Sequence, residues 1–461
     1  MDRRTFLKSS FAATLAGGTA RPQGLSPIST PNIIFMIADD LGHGDLGCYG
    51  SNIPTPNLDG MASQGVRFGQ FSSANAVCSP SRAALLTGRY PTRVGVPRVL
   101  APPDNYGLSL SETTLPQALK PLGYHTMCVG KWHLGSAPDY LPTKRGFDRF
   151  YGIPYSTDMY PLPLMSNTDV VEQPANVRTL ASRYTSKAVD FINGVNASPF
   201  FLYMAYSSPH VPVVASTNFA GKSGLGGYGD AVMEIDWSVG QVLNAIKNNG
   251  LDSNTLVIFT SDHGPWYQGN PGAFRGRKGQ TYEGGFRVPF IARWLNQIPA
   301  GATVSSFASM LDVFPTIAAI TGAAPPAQPD GIDISPLLSG AQQSLDHNTF
   351  FYFDDWNLQC ARSGPWKLHV ARYNSPAWSP DPAGGRINLP LTQPELYNLD
   401  LDPQESYEVS ADHPDVVAEI RAQITAALPT FPADVQSAWS NTMGRSIWPM
   451  WDASLPALKT S

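Results

Sequence analysis

Four cysteines in 461 residues are too few to scaffold a fold with disulfides. Charge is also scarce, at 15 % of the chain, which excludes a solvated, charge-rich tail protein. Neither sign dominates. The 31 Lys and Arg against 36 Asp and Glu leave a net charge of −5, a poor match for a general nucleic-acid binder. No stretch reaches the roughly 20 consecutive apolar residues of a membrane-spanning helix, so none is expected. No internal repeat is found. Hydrophobic residues, by contrast, make up 42 %, enough to fill a core and exclude wholesale disorder. The 42 Pro and 41 Gly call for many turns and argue against a helical bundle.

The amino terminus reads as an address. Arg3 and Arg4 stand just ahead of an Ala- and Gly-rich stretch, residues 11–20, and Gly18-Thr19-Ala20 offers small residues for cleavage. This is the pattern of a twin-arginine export signal, with a frayed basic terminus as the plainer alternative. Residues 26–31 look like a linker. The signal predicts a periplasmic or secreted protein that crosses the membrane already folded.

Ile33-Ile34-Phe35-Met36-Ile37-Ala38 is an apolar run of strand length. Phe200 to Tyr206 and Leu256 to Thr260 read the same way, and Tyr124 to Val129 is a fourth candidate. Such runs mark strands buried on both faces, as in a parallel sheet. Val232, Ile235, Val239, Val242 and Ile246 form one helical stripe, stopped at Asn248-Asn249-Gly250. Helices alternating with buried strands imply an α/β sandwich. After Ser339 the texture changes. Phe350 to Phe353 and Trp366 to Val370 read as strands, residues 374–390 as a long loop, and residues 412–428 as a helix. This is a smaller α+β unit, and Trp439, Trp448 and Trp451 would dock the chain's end on the body.

Each apolar run ends in a polar payload. Asp39-Asp40 follows Ala38, Ser207-Ser208-Pro209-His210 follows Tyr206, Ser261-Asp262-His263 follows Thr260, and Gly130-Lys131-Trp132-His133 follows Val129. In open α/β sheets, ligands bind beyond the carboxyl ends of the strands. Any one of these residues alone reads as a helix cap or a satisfied core histidine. Four together on one rim read as a site. Asp39, Asp40 and Asp262 would converge there without enough nearby cations to pair them all, which favours a hard metal ion between them.

Cys78-Ser79-Pro80-Ser81-Arg82 opens a helix that Gly88 ends, with Ser79 as the expected N-cap and Pro80 at its first position. Cys78 lies at the helix start, where free N–H groups favour an anion, and Arg82 shares its face if the first turn reaches back that far. A nucleophile beside a guanidinium suits a tetrahedral oxyanion. The plainer reading is a buried structural Cys and a surface Arg.

Cys78-Ser79-Pro80-Ser81-Arg82 with Ala83 to Gly88, and Gly123 to His133 further on, resemble the two signatures of the type I sulfatases. Asp39-Asp40-Leu41-Gly42, Lys278 with Gly279 to Gly285, and Glu395 to Asp400 resemble other segments of that family, so the likeness runs from about Asn32 to Asp412. It is nearest to the arylsulfatase A and N-acetylgalactosamine-6-sulfatase type. The resemblance implies an alkaline-phosphatase-like α/β fold, a large mixed sheet flanked by helices with a smaller C-terminal α+β domain. The expected division is residues 1–29 as signal peptide and linker, 30–345 as catalytic domain and 346–461 as the small domain. The resemblance further implies that Cys78 is oxidised to formylglycine by an aerobic or anaerobic maturation enzyme. The hydrated aldehyde would attack sulfur beside Ca²⁺ (or Mg²⁺) ligated by Asp39, Asp40, residue 78, Asp262 and His263, the last standing where the family often carries Asn. Arg82, Lys131 and Lys278 would neutralise the sulfate, and His210 would protonate the leaving group. His133 would act as base when the hemiacetal collapses, and Asp262 would help to deprotonate the nucleophile. From the local run Arg275-Gly276-Arg277-Lys278 alone, Lys278 reads as a solvated charge.

The expected substrates are aryl sulfates in vitro and sulfated saccharides in nature, with Trp266, Tyr267 and Tyr155 as candidate stacking residues. A phosphonate monoester or phosphodiester hydrolase on the same scaffold is the alternative enzyme. A non-catalytic binder of sulfated glycans is a third reading, against which the intact Cys78, Arg82, Lys131, His133 and His210 argue.

Overall fold

The computed structural model describes residues 30–195, 198–375, 382 and 385–445. The export signal, most of the linker, Trp448 and Trp451 lie outside these residues. One large sheet runs in the order β11 (Ala302–Val304), β2 (Val66–Phe68), β10 (Phe290–Arg293), β9 (Thr255–Ser261), β1 (Asn32–Ala38), β8 (Phe200–Ala205), β4 (His125–Lys131), β5 (Arg149–Ile153), β6 (Leu164–Ser166) and β7 (Asp169–Glu172). The five strands from β9 to β5 are parallel. Antiparallel pairs at β9–β10 and β5–β6 make the sheet mixed.

The apolar runs become the sheet's centre because every residue of β1, β8 and β9 is buried. Alternate side chains feed two cores. Ile33, Phe35, Phe201, Tyr203, Leu256 and Ile258 face one, while Ile34, Met36, Leu202, Met204, Val257 and Phe259 face the other. The stripe from Val232 to Ile246 lies on helix Gly226–Asn248 in the second core, beside helix Leu180–Asn193. Helices Cys78–Thr87 and Val313–Thr321 cover the first core. The register then sets one rim: Ile37 pairs with both Ala205 and Thr260, and Gly130 pairs with Ala205. Gly130 is required there, because a Cβ would stand 1.8 Å from the Ala205 carbonyl oxygen.

A two-stranded ribbon, β3 (Phe71–Ser72) with β12 (Ala308–Ser309), leads towards the second sheet. That sheet is antiparallel, in the order β13 (Phe350–Asp354), β14 (Asn357–Ser363), β15 (Trp366–Tyr373) and β16 (Asn388–Asn398), and is packed by helices Pro414–Ala427 and Ala433–Met443. Tyr352, Phe353, Leu368, Leu396 and Ile420 join the first core, and Trp439 packs against it. The strand at 357–363 was not visible in the sequence, since Asn-Leu-Gln-Cys-Ala-Arg-Ser carries no apolar run. The loop expected over 374–390 is shortened by β16, which begins at Asn388. Helix Cys78–Thr87 also starts earlier than expected. Val77 is its N-cap, and the Ser79 hydroxyl instead accepts the N–H of Leu100.

Candidate active site

The rim collects the payloads as the register dictates. Asp39 and Asp40 leave β1 and Asp262 leaves β9, whose backbones stay coupled through Asp262 N–H to the Ala38 carbonyl at 3.0 Å. Lys131 is the last residue of β4. Asp40 and His133 have φ of 67° and 59°, in the left-handed region that non-glycine residues rarely occupy. Cys78 opens its helix with Arg82 one turn on, so the two share a face. Lys278 arrives on a loop docked through its own N–H to the Pro265 carbonyl (3.0 Å) and that of Gly279 to Ala76 (2.9 Å).

The Cys78 Sγ lies 3.7 Å from Asp39 Oδ1 and 3.3 Å from His263 Nε2. Lys131 Nζ donates to Asp39 Oδ2 (2.7 Å), Lys278 Nζ to Asp40 Oδ1 (2.8 Å), and Arg82 Nη2 to Asp262 Oδ2 (2.8 Å). The expectation of too few cations is therefore wrong: each carboxylate has one. They come from the Cys78 helix, the end of β4 and the Lys278 loop, segments whose convergence local spacing does not reveal.

Burial and charge then separate like groups. Burial pushes the Asp39 carboxyl up, but Lys131, His210, Arg82 and Lys278 outweigh it and hold it well below the usual range. Asp262 moves the other way, to about 6, because burial and the nearby Asp39 outweigh His263 and Arg82. Burial opposes the Cys78 thiolate, yet Lys131 and Lys278 bring the thiol down to about 6. Burial, with Lys131 and Arg82, holds His133 well below its ordinary value, so its ring is neutral.

The donor set fits a cation. His263 Nδ1 lies 2.9 Å from the Gly264 carbonyl, which can only accept, so Nδ1 carries the hydrogen and Nε2 is the nitrogen left to bind a proton or a metal ion. There Nε2 stands 3.4 Å from Asp40 Oδ1 and 3.5 Å from Asp262 Oδ1. Neighbouring ligands on a six-coordinate ion with bonds of about 2.4 Å stand about 3.4 Å apart. Burial resists charging His263, but Asp262 and Cys78 raise it to about 9, so the gap between these atoms calls for a positive charge. Asp39, Cys78, Asp262 and His263 offer ligand atoms within 4.8 Å of one another, as do Asp39, Asp40, Cys78 and His210.

A pocket of about 260 Å³ opens onto this cluster. Asp40, Cys78, His133, His210 and Lys278 line it, whereas Arg82 and Lys131 lie behind, fully buried on their carboxylates. His133 Nε2 meets the Leu100 carbonyl at 2.9 Å and its Nδ1 has no partner. His210 Nδ1 donates to the Val211 carbonyl at 2.7 Å, which leaves Nε2 facing Asp40 Oδ2 at 3.8 Å. Of the three candidate stacking residues only Trp266 lines the pocket. Tyr155 is buried with its hydroxyl on the Pro161 carbonyl, and Tyr267 is 66 % exposed. Sequence reading missed Ser156, whose hydroxyl accepts from Lys131 Nζ at 3.1 Å and lies 3.5 Å from the His210 ring. Its only signal is a position just past β5, on the same rim.

A large mixed sheet with a polar pocket at the carboxyl ends of its parallel strands is the alkaline-phosphatase-like hydrolase fold. The sulfatase family model matches residues 31–323, and the C-terminal region of aryl-sulfatase matches residues 345–457. The chain belongs to the sulfatase family and is a sulfuric ester hydrolase. Arylsulfatase A of Bos taurus is 40 % identical to it over 459 residues, 90 % of each chain. N-acetylgalactosamine-6-sulfatase of Rattus norvegicus is 40 % identical over 391 residues, 77 % of this chain and 73 % of that protein. The crystal structure of Ps i-CgsB with k-i-k-neocarrahexaose superposes with a TM-score of 0.75 at 29 % identity, covering 92 % of this chain and 99 % of that one. Among the described residues no helix is long and apolar enough to cross a membrane.

Proposed function

We propose that the protein cleaves sulfate monoesters with a formylglycine hydrate made from Cys78, beside a divalent cation held by Asp39, Asp40, residue 78, Asp262 and His263. The carboxylate-rich donor set favours Ca²⁺, with Mg²⁺ as the second choice. Its chemistry when bound is to offset the charge on the nucleophile and a sulfate oxygen. The carrying observation is Cys78 Sγ, 3.3 Å from His263 Nε2, on the wall of a pocket shared with Lys278 and His210.

The chain's own residues divide the remaining work. Lys278 binds the sulfate from the pocket wall, while Arg82 and Lys131 supply buried positive charge behind the reacting centre. Asp262, raised to about 6, accepts the proton of the attacking hydroxyl. His210 keeps its Nδ1 hydrogen on the Val211 carbonyl, so it acts as acid when a second proton sits on Nε2, and it gives that proton to the leaving oxygen. His133 Nδ1, neutral and unpartnered, takes the second hydroxyl's proton as the C–O bond between residue 78 and the sulfate breaks and the aldehyde reforms. Trp266 offers a face to an aryl ring or a sugar.

Cys78 is 2 % exposed, so a maturation enzyme, aerobic or anaerobic, would meet it before folding. Twin-arginine export would then carry the folded enzyme to the periplasm or outside the cell. The catalytic unit is residues 30–345, the small domain is 346–461, and the natural substrates are sulfated saccharides. The test pairs peptide mass analysis at position 78 with rates on an aryl sulfate, an aryl phosphate and a phosphonate diester. An aldehyde at 78 and a clear preference for sulfate are expected. An unaltered thiol in active enzyme, or faster phosphonate diester cleavage, overturns the reading.

A further inference from the structure

The loop that carries Lys278 is held from two sides. On the pocket side it rests on Pro265 and Ala76, and the Gly264 N–H donates to the Gly285 carbonyl at 2.9 Å. Residue 264 must be glycine there, since a Cβ would stand 1.9 Å from the Gly284 carbonyl oxygen. The far side rests on the C-terminal sheet unit, and its anchor is Glu405. This residue is fully buried and sits in the left-handed region at φ 55°. Its Oε2 accepts the Glu283 N–H at 2.6 Å, and its own carbonyl accepts Arg275 Nη1 at 3.1 Å. Both ends of the loop around Lys278 are thus tied to one residue more than a hundred positions away.

Glu405 is itself fixed by charge. Its Oε1 meets His369 Nε2 at 2.6 Å and Lys367 Nζ at 3.1 Å, and Lys367 also reaches Glu283 Oε1 at 3.0 Å. His369 Nδ1 faces Cys360 Sγ at 3.0 Å. The order Cys360, His369, Glu405 imitates a nucleophilic triad, but all three are 0 % exposed and no substrate can reach them. A buried ionic network of this kind contributes little net stability against an apolar packing of the same volume, but it favours one geometry over others.

We infer that Glu405 is a positioning residue for Lys278, acting from the C-terminal sheet unit through the Glu283 N–H and the Arg275 side chain. The inference rests on the assignment of Lys278 as the sulfate-binding cation.

The test is a double-mutant cycle on the mature enzyme, with Glu405→Asp and Lys278→Ala alone and together. Aspartate keeps the charge but is one methylene too short to hold the Glu283 N–H. The KM for an aryl sulfate and the Ki of inorganic sulfate are expected to rise together about tenfold in Glu405→Asp, with a smaller fall in kcat. In the Lys278→Ala background the same change should alter the Ki less than twofold; calorimetric binding of inorganic sulfate gives this reading without turnover. If Glu405→Asp does not fold, Arg275→Met cuts the second tie at an exposed residue, and a rise of about threefold with the same dependence on Lys278 is expected. Additive effects in the two backgrounds, or unchanged sulfate affinity in Glu405→Asp, overturn the inference alone. Unchanged sulfate affinity in Lys278→Ala overturns the assignment of Lys278 and the inference with it.

Discussion

Among the described residues, a cluster of buried charge at the rim of the large sheet can be set beside another under the small sheet, built from the same kinds of chemical group. At the rim of the large sheet, Asp39, Asp40 and Asp262 meet Arg82, Lys131, Lys278, His263 and Cys78. Under the small sheet, Glu283 and Glu405 meet Arg287, Lys367, His369 and Cys360. Burial does not separate them, and neither does backbone strain, since Glu405 is as left-handed as Asp40 and His133. The carboxylates do. At the rim Asp39 is driven down while Asp262 is pushed up to about 6. In the closed cluster burial resists both charges, but Lys367 and Arg287 together with their neighbours outweigh it at Glu283, as Lys367 and His369 do at Glu405, and both carboxyls are lowered. Like groups pulled apart can exchange protons during a reaction, whereas like groups lowered together are fixed. The rim cluster also opens on a pocket and leaves His133 Nδ1 without a partner.

The contrast is sharpest at the two cysteines. Cys78→Ala removes the proposed nucleophile and is expected to lower kcat on an aryl sulfate by about 10⁴-fold or more with the fold intact. Cys360→Ala, in the closed cluster, should stay within about threefold of wild type. Similar losses in the two variants would erase the distinction between the clusters. Next in size is metal removal. Exhaustive chelation should cut activity by about a hundredfold, with recovery on adding back Ca²⁺, followed by the rate and by metal analysis of the protein.

Lys367→Met probes the closed cluster through stability. It leaves Glu283 and Glu405 buried with one cation fewer, at a cost of roughly 3–5 kcal/mol, read as a lower denaturant midpoint. The smallest effect concerns pH. Burial disfavours the charged His369 ring, but its bonds to Cys360 and Glu405 outweigh that and raise its pKa. A raised pKa stabilises the fold fully below the ordinary histidine value of about 6.5, and this stabilisation fades as pH rises through the folded value. The advantage in Tm of wild type over His369→Asn should therefore shrink by a few degrees between about pH 6 and about pH 9. A constant difference would mean that His369 is held neutral.

Much of the rim was legible because its residues come directly after apolar runs or keep helical spacing. Asp39, Asp40, Lys131, His133, His210, Asp262 and His263 each lie just beyond a run of strand length, and Cys78 and Arg82 are one helical turn apart. Lys278 was legible only through the family likeness, since three basic residues in four read locally as a solvated face. Ser156 carries no local signal beyond its place just past β5, and Glu405 carries none. Their importance lies in contacts to Lys131 and Glu283, 25 and 122 positions away. The expected Ser79 cap failed because the helix begins at Cys78, which leaves Ser79 inside it with its hydroxyl on the Leu100 N–H.

The order of chemical groups along the chain was thus settled by primary structure: period and apolar content determine which segments become buried strands, and the polar residues at the end of each run are then carried to a strand end. Which charge neutralises which was decided only in three dimensions. Parallel pairing across β9, β1, β8 and β4 brings together residues up to about two hundred positions apart. In that interior, burial and distances of 3 to 4 Å between charges together shift the protonation equilibria of the rim groups. Those distances are properties of the packed sheet and the loops laid over its rim, and no local window of residues contains them.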